Sequence, residues 1–189
     1  MVLYKLLFLN VFFCFLCVGC VSRPFDPVQV GDFELRGKLA VKDAGDNFTA
    51  RFLWRQEGDQ FRIDLWGPLG QGRVQLVGSH AHIALLDGKG RIVTQGPQAS
   101  VMRAQLGWSM PLDVLPAWVQ GTPKAGIPSD DLELAEGGLV RSFRQLDWLV
   151  TYGPFQRVES VREVRSLPRR ITVENAATRV RLVISEWRI

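Results

Sequence analysis

Cysteine and histidine are scarce in this 189-residue chain: there are three cysteines, all within the first twenty positions, and two histidines, His80 and His82. Beyond Cys20 there is no thiol, so the body of the chain can form no internal disulfide and no cysteine-ligated metal site. The two histidines, two apart on an expected strand, would face the same way, but only Asp87 lies near them in sequence as a further ligand. A solvated hairpin is the plainer reading, and no metal is expected. A serine triad would have to recruit one of the same two histidines. There is no G-x-S-x-G elbow, and "GPLGQG" lacks the lysine and the serine or threonine of a phosphate loop. Asp130 and Asp131 fall in an expected loop, where solvation or capping suits them better than acid–base work. Neither catalysis nor a cofactor is expected. Strong net charge is missing too: a formal +4 at pH 7 suits anionic lipid or an acidic partner and does not indicate nucleic acid.

A run long enough to span a membrane is also absent. The apolar stretch Leu6–Val18, broken only by Asn10, falls short of the roughly 20 residues a spanning helix needs. With Lys5 ahead of it, it fits the apolar region of a secretory signal. The stretch ends "CVGC", where small Gly19 precedes Cys20, and this resembles the bacterial lipobox. Such a site implies cleavage before Cys20 and acylation of its thiol and new amino group. Cys17 stands where leucine is usual, a departure from the pattern. Cys14 and Cys17 fit less well, because bulky Phe13 and Leu16 precede them. An ordinary signal with incidental cysteines is the alternative. The expected organisation is a signal at 1–19, a lipidated tether at 20–31 with two prolines, and one β-barrel domain at 32–189.

What the body has in abundance is alternation. Phe33, Leu35, Leu39 and Val41 share one strand face; Phe48, Ala50, Phe52 and Trp54 share another, and Phe61, Ile63 and Leu65 a third. Val74 with Leu76, and Ile83 with Leu85 before the turn "DGKG", continue the series. One-sided strands this closely spaced predict an antiparallel meander. In the middle, "QASVMRAQLG" reads as a short helix begun by Ser100. "PLDVLPAWVQG" reads as another, with Asp113 as N-cap, Pro116 in the first turn and Gly121 as the stop. "GTPKAGIPSDD" reads as a loop. Strands resume around "QLD" and end in a hairpin turning near Asn175, with Val180, Leu182 and Ile184 on one face. The expected architecture is mainly β: an unclosed antiparallel barrel of about ten or eleven strands, with a short helical insertion capping an apolar cavity.

Eleven phenylalanines and six tryptophans are many for such a chain, though some phenylalanines leave with the signal. They either fill a solid core or line a cavity for acyl chains beneath the helical lid. One stretch, "DLWGPLGQGRV", sets Trp66 and Leu69 in a turn otherwise made of Gly67, Pro68, Gly70 and Gly72. Loop tips are normally polar, so Leu69 either folds back to staple its own hairpin or is displayed on purpose. Arg51, Arg55, Arg62 and Arg73 either gather to meet an acidic partner or are solvated strand residues.

The segments "LRGKLAV", "FLWRQEGDQFRIDLWGPLGQGRVQL", "DGKG", "LGWSMPLDVLPAWVQGTP", "DWLVTYGPF" and "VRLVISEW" occur in the order and spacing of the LolB family, which this chain resembles from Phe33 to Trp187. The resemblance implies an outer-membrane lipoprotein that receives other lipoproteins from a LolA-like periplasmic carrier and places them in outer-membrane lipid. It also implies an apolar cavity for the cargo acyl chains. The family's protruding leucine maps onto Leu69, with Trp66, Pro68 and Gly70 beside it. Cavity candidates, chosen by face and phase, are Trp54, Ile63, Leu65 and Trp118. A monomer is expected, and Val21, not an aspartate, favours the outer membrane. A lipid-binding or structural envelope lipoprotein that keeps its ligand is the alternative function.

Overall fold

Alternating side chains give strands, and here every run of alternation becomes one. The computed structural model describes residues 31–43, 47–106 and 110–189; the expected signal, Cys20 and all but the last residue of the tether lie outside them. Strands β1 (Phe33–Lys42), β2 (Asn47–Glu57), β3 (Gln60–Trp66), β4 (Val74–Gly78), β5 (His82–Asp87) and β6 (Ile92–Pro97) follow one another as an antiparallel meander. Two helices follow, α1 (Gln98–Leu106) and α2 (Leu115–Val119). The chain then returns to strand structure in β7 (Asp130–Leu134), β8 (Val140–Gln145), β9 (Trp148–Tyr152), β10 (Phe155–Glu159), β11 (Val164–Pro168), β12 (Arg170–Glu174) and β13 (Arg179–Arg188).

Eleven strands form one sheet in the order β6-β5-β4-β3-β2-β1-β13-β12-β9-β8-β7. Its edges, β6 and β7, are not paired to each other, so the barrel is unclosed, as the sequence predicts. Strands β10 and β11 make a separate two-stranded ribbon that the alternation did not reveal. The pairing of β1 with β13 joins the two halves of the chain and contains an irregularity. Arg36 faces Glu186 but Gly37 faces Ile184, leaving Ser185 as an extra residue. This bulge resets the inward phase, so that both Ile184 and Trp187, three apart, are buried. At Gly37 a side chain would meet the Val183 carbonyl oxygen at 2.1 Å, so the close approach of the two strands requires glycine there.

The structure corrects three local expectations. Helix α1 begins at Gln98, two residues before Ser100. Helix α2 is capped by Val114 with no side-chain hydrogen bond, so Asp113 is not its cap, whereas Gly121, at φ +91°, does end it. Asp130 and Asp131 lie in edge strand β7 and not in a loop, with Asp131 at φ 53°.

Inside the sheet one continuous core has two regions of aromatic packing. At the start of β1, Phe33 packs edge-on against Trp54 and Trp187, at centroid distances of 5.2 and 5.7 Å. Around α2, Trp118 is wholly buried against Phe143 and donates from Nε1 to Gln145 Oε1 at 2.8 Å. The Gln145 amide in turn donates to the carbonyls of Lys124 and Ile127, and Tyr152 Oη donates to the Trp118 carbonyl at 2.7 Å. Burial holds the Tyr152 phenol well above its usual pKa, so it stays protonated to make that bond. These bonds satisfy the buried polar atoms that fasten α2 and its following loop to β8 and β9.

Candidate functional site

The turn between β3 and β4 is built from its hydrogen bonds. Gly70 N–H donates to the Gly67 carbonyl at 2.9 Å, and Gly67 N–H donates to the Gln71 carbonyl at 2.8 Å. Pro68 fixes the first corner, and Gly70, at φ +85°, takes the left-handed position that other residues avoid. This arrangement leaves Leu69 at the tip with 88% of its surface exposed. Leu69 does not fold back onto its hairpin. Pro68 and Gly70 are exposed beside it, and Trp66 is half-buried at the end of β3.

The base of the turn is braced from below. Asp64, 2% exposed, accepts from Arg73 Nη2 at 2.9 Å and from Gln75 Nε2 at 2.8 Å. Both donors stand on the returning side of the turn, so one buried carboxylate ties its two stems together. Arg73 is thereby assigned to the turn. Arg55 likewise pairs with Glu34 at 2.6 Å, while Arg51 and Arg62 are exposed. The four arginines do not act as one group.

Inside the sheet, against the helical insertion, lies an apolar cavity of about 90 Å³. One wall comes from the sheet: Phe52 and Trp54 on β2, Ile63 and Leu65 on β3, with Leu39 and Leu182 beside them. The other comes from the helical insertion, through Met102, Met110, Leu112 and Leu115. Every residue that lines it is apolar. Three of the four expected cavity residues, Trp54, Ile63 and Leu65, therefore converge on it. Trp118 does not: it is locked among Gln145, Phe143 and Tyr152 in the solid half of the core. Phase along α2 pointed Trp118 inward, but inward has two destinations in this fold. The missed lining residues on the strands follow the same alternation as those found. Met102, four residues before Leu106, carried a helical spacing that did not point to a cavity wall, and Met110 carried no periodic signal.

The volume is well below the roughly 300–1,000 Å³ of pockets that hold drug-sized ligands. Accepting a long hydrocarbon therefore requires the two walls to separate. Methionine suits the moving wall, since its unbranched side chain repacks easily.

The histidines make no common site. His80 sits in a turn with Nε2 3.6 Å from Asp59 Oδ1, and only His82 belongs to β5. Among the described residues no three His, Cys, Asp or Glu side chains come together as metal ligands.

Comparison with known proteins agrees with this architecture. The family model described as "Outer membrane lipoprotein LolB" matches residues 31–187. The outer-membrane lipoprotein LolB of Marinobacter nauticus is 36% identical over 159 residues, covering 82% of this chain and 74% of the relative. That of Cellvibrio japonicus is 30% identical over 161 residues, covering 85% and 79%. Among solved structures, a LolA superfamily protein from Nitrosomonas europaea superposes with a TM-score of 0.54 over 86% of this chain and 87% of its own, at 10% identity, which is a likeness of fold. The chain belongs to the LolB family of outer-membrane lipoproteins.

Proposed function

We propose that this protein receives acylated lipoproteins from a LolA-like periplasmic carrier and places them in the outer membrane, without enzymatic chemistry. The observation that carries this reading is the wholly apolar cavity between a curved sheet and a methionine-bearing helical wall. A cargo acyl chain would occupy it between Ile63, Leu65 and Trp54 on one side and Met102, Met110 and Leu112 on the other. Exposing a sixteen-carbon chain to water costs on the order of 10 kcal/mol, at about 0.8 kcal/mol per methylene. The cavity must therefore meet the carrier's opening directly.

Leu69, with Trp66, Pro68 and Gly70, forms the membrane-touching turn in this reading. Fully burying one leucine contributes about 1.5–3 kcal/mol, too little to hold the protein on a bilayer but enough for a reversible dip into the headgroup boundary. Anchoring falls to acyl chains on Cys20, joined through a tether at 20–31 to the domain at 32–189, on the periplasmic face. No described helix is long and apolar enough to cross a membrane.

The test is transfer. Carrier loaded with an acylated lipoprotein is mixed with the mature chain bearing Cys20→Ser, and the cargo is followed. One-way movement onto this protein, and onward to liposomes, is expected. A folded protein that takes no cargo, or keeps phospholipid without releasing it, overturns the reading in favour of a lipid binder.

A further inference from the structure

The outward face of β2, β1 and β13 is divided by charge. At one end Glu34 accepts from Arg55 Nε at 2.6 Å and from Arg188 Nη1 at 2.9 Å, and Arg36 and Arg188 also approach Glu186. Basic residues there are neutralised. Where β3 runs out into the Leu69 turn, three basic residues are not. Lys38 stands directly opposite Arg51 in the β1–β2 register, and Arg181 stands opposite Ala40, two residues further along. None of the three has an ion-pair partner among the described residues.

Side chains facing each other across antiparallel strands have Cβ atoms about 4.5–5.5 Å apart, and like charges so placed repel. A fold that merely needed polar outward residues would gain by placing an acid at one of these positions, as it does with Glu34. Instead Lys38, Arg51 and Arg181 surround a cleft of about 350 Å³ floored by Ala40 and Thr49, with no acidic residue in its lining. Pro68 of the turn forms part of the same lining, and Trp66 pairs with Arg51 across β2 and β3. The uncompensated positive charge and the exposed leucine are thus neighbours.

We infer that this cleft binds the phosphate of an anionic phospholipid headgroup and so sets the depth and orientation at which the Leu69 turn meets the bilayer. The inference rests on the membrane role of that turn. A headgroup held among Lys38, Arg51 and Arg181 places its acyl chains beside Pro68 and Leu69, where an apolar tip belongs. The arginines at the other end of the face are held by Glu34 and Glu186 and have no such role.

The mature chain with Cys20→Ser, which has no acyl anchor, is mixed with vesicles of phosphatidylcholine alone or of phosphatidylcholine with phosphatidylglycerol, and bound protein is read by sedimentation. Phosphatidylglycerol is expected to raise binding. The variant Lys38→Gln/Arg51→Gln/Arg181→Gln should lose on the order of a hundredfold in affinity for those vesicles, for three charges near an anionic surface. The variant Arg36→Gln/Arg55→Gln/Arg188→Gln removes the same net charge from the other end of the face and should lose far less. Equal losses overturn the inference, because overall charge would then be responsible. Leu69→Glu separates the two readings. If it abolishes binding while the first triple variant binds as well as the parent, the turn reading stands and the cleft fails. If Leu69→Glu binds like the parent, the turn reading itself fails and takes this inference with it. Melting temperatures of all variants confirm that each is folded.

Discussion

Asp64 and Arg73, nine residues apart, meet at 2.9 Å beneath the turn that displays Leu69, with the carboxylate buried and the guanidinium largely exposed. A buried acid serves here to hold an apolar residue out in water. Removing the acid strands two donors at once, those of Arg73 and Gln75. Asp64→Ala should therefore lower stability by about 1.5–3 kcal/mol, the range for hydrogen bonds to a charged group. Cargo delivery should fall with it, because the turn loses its brace. Thermal unfolding and the liposome transfer assay check the two effects together.

Leu69→Glu should dissociate those effects. An exposed leucine away from the core contributes little to folding, so stability should stay within the roughly 0.5 kcal/mol scatter of surface substitutions. Receipt of cargo from the carrier should persist while delivery to liposomes stops. A parallel loss of stability and cargo binding would overturn the membrane role of the turn.

Ile63→Asn places an amide among the wholly apolar lining of the cavity. An acyl chain covering it would leave the amide without a partner, at a cost of about 1–3 kcal/mol. Affinity for a fluorescent fatty acid should drop roughly tenfold or more. Trp118→Phe, by contrast, removes the bond to Gln145 in the solid half of the core. It should lower the melting temperature and leave acyl affinity unchanged.

Stability should weaken in acid through Glu34. The hydrogen bond from the Arg55 side chain, followed by the nearby positive charges of Arg55, Arg188 and Arg36, holds its carboxyl below the ordinary 4.5. A group whose folded pKa is depressed contributes stability that is present above its unfolded value and is lost as pH falls through the folded one. Denaturant unfolding from pH 6 downward should therefore show a decline starting below about 4.5. Because the carboxylate is near the surface, the effect is small. Glu34→Gln should flatten that part of the curve.

Much of the fold was legible because β alternation has a strict period of two. Phe33, Leu35 and Val41, or Phe52 and Trp54, could only face inward together, and they do. What alternation cannot show is an extra residue. Ser185 shifts the phase of β13, and Trp187 joins the core for a reason visible only in the pairing with Arg36 and Gly37. The ribbon of β10 and β11 escaped notice because its buried residues, Leu167 and Pro168, are adjacent rather than alternate. At the site, Leu69 stood out by its apolar character among turn residues. Asp64 did not, since a lone aspartate on a strand carries no sign of the arginine and glutamine that will surround it. Trp118 was misplaced because sequence periodicity tells inside from outside but not one end of the interior from the other.

The unpaired edges β6 and β7 give the molecule a mechanical freedom that a closed barrel lacks. In a closed barrel the number of strands and their stagger fix the diameter, and expansion means tearing a ladder. A sheet with a seam has no such constraint: curling tighter or flatter changes its curvature while every neighbouring pair keeps its hydrogen bonds. Its interior can therefore swell from its tight volume by bending alone. Resistance to that swelling comes from side-chain contacts across the gap and not from the backbone. The stiffness of this container is set by how α1 and α2 grip the sheet.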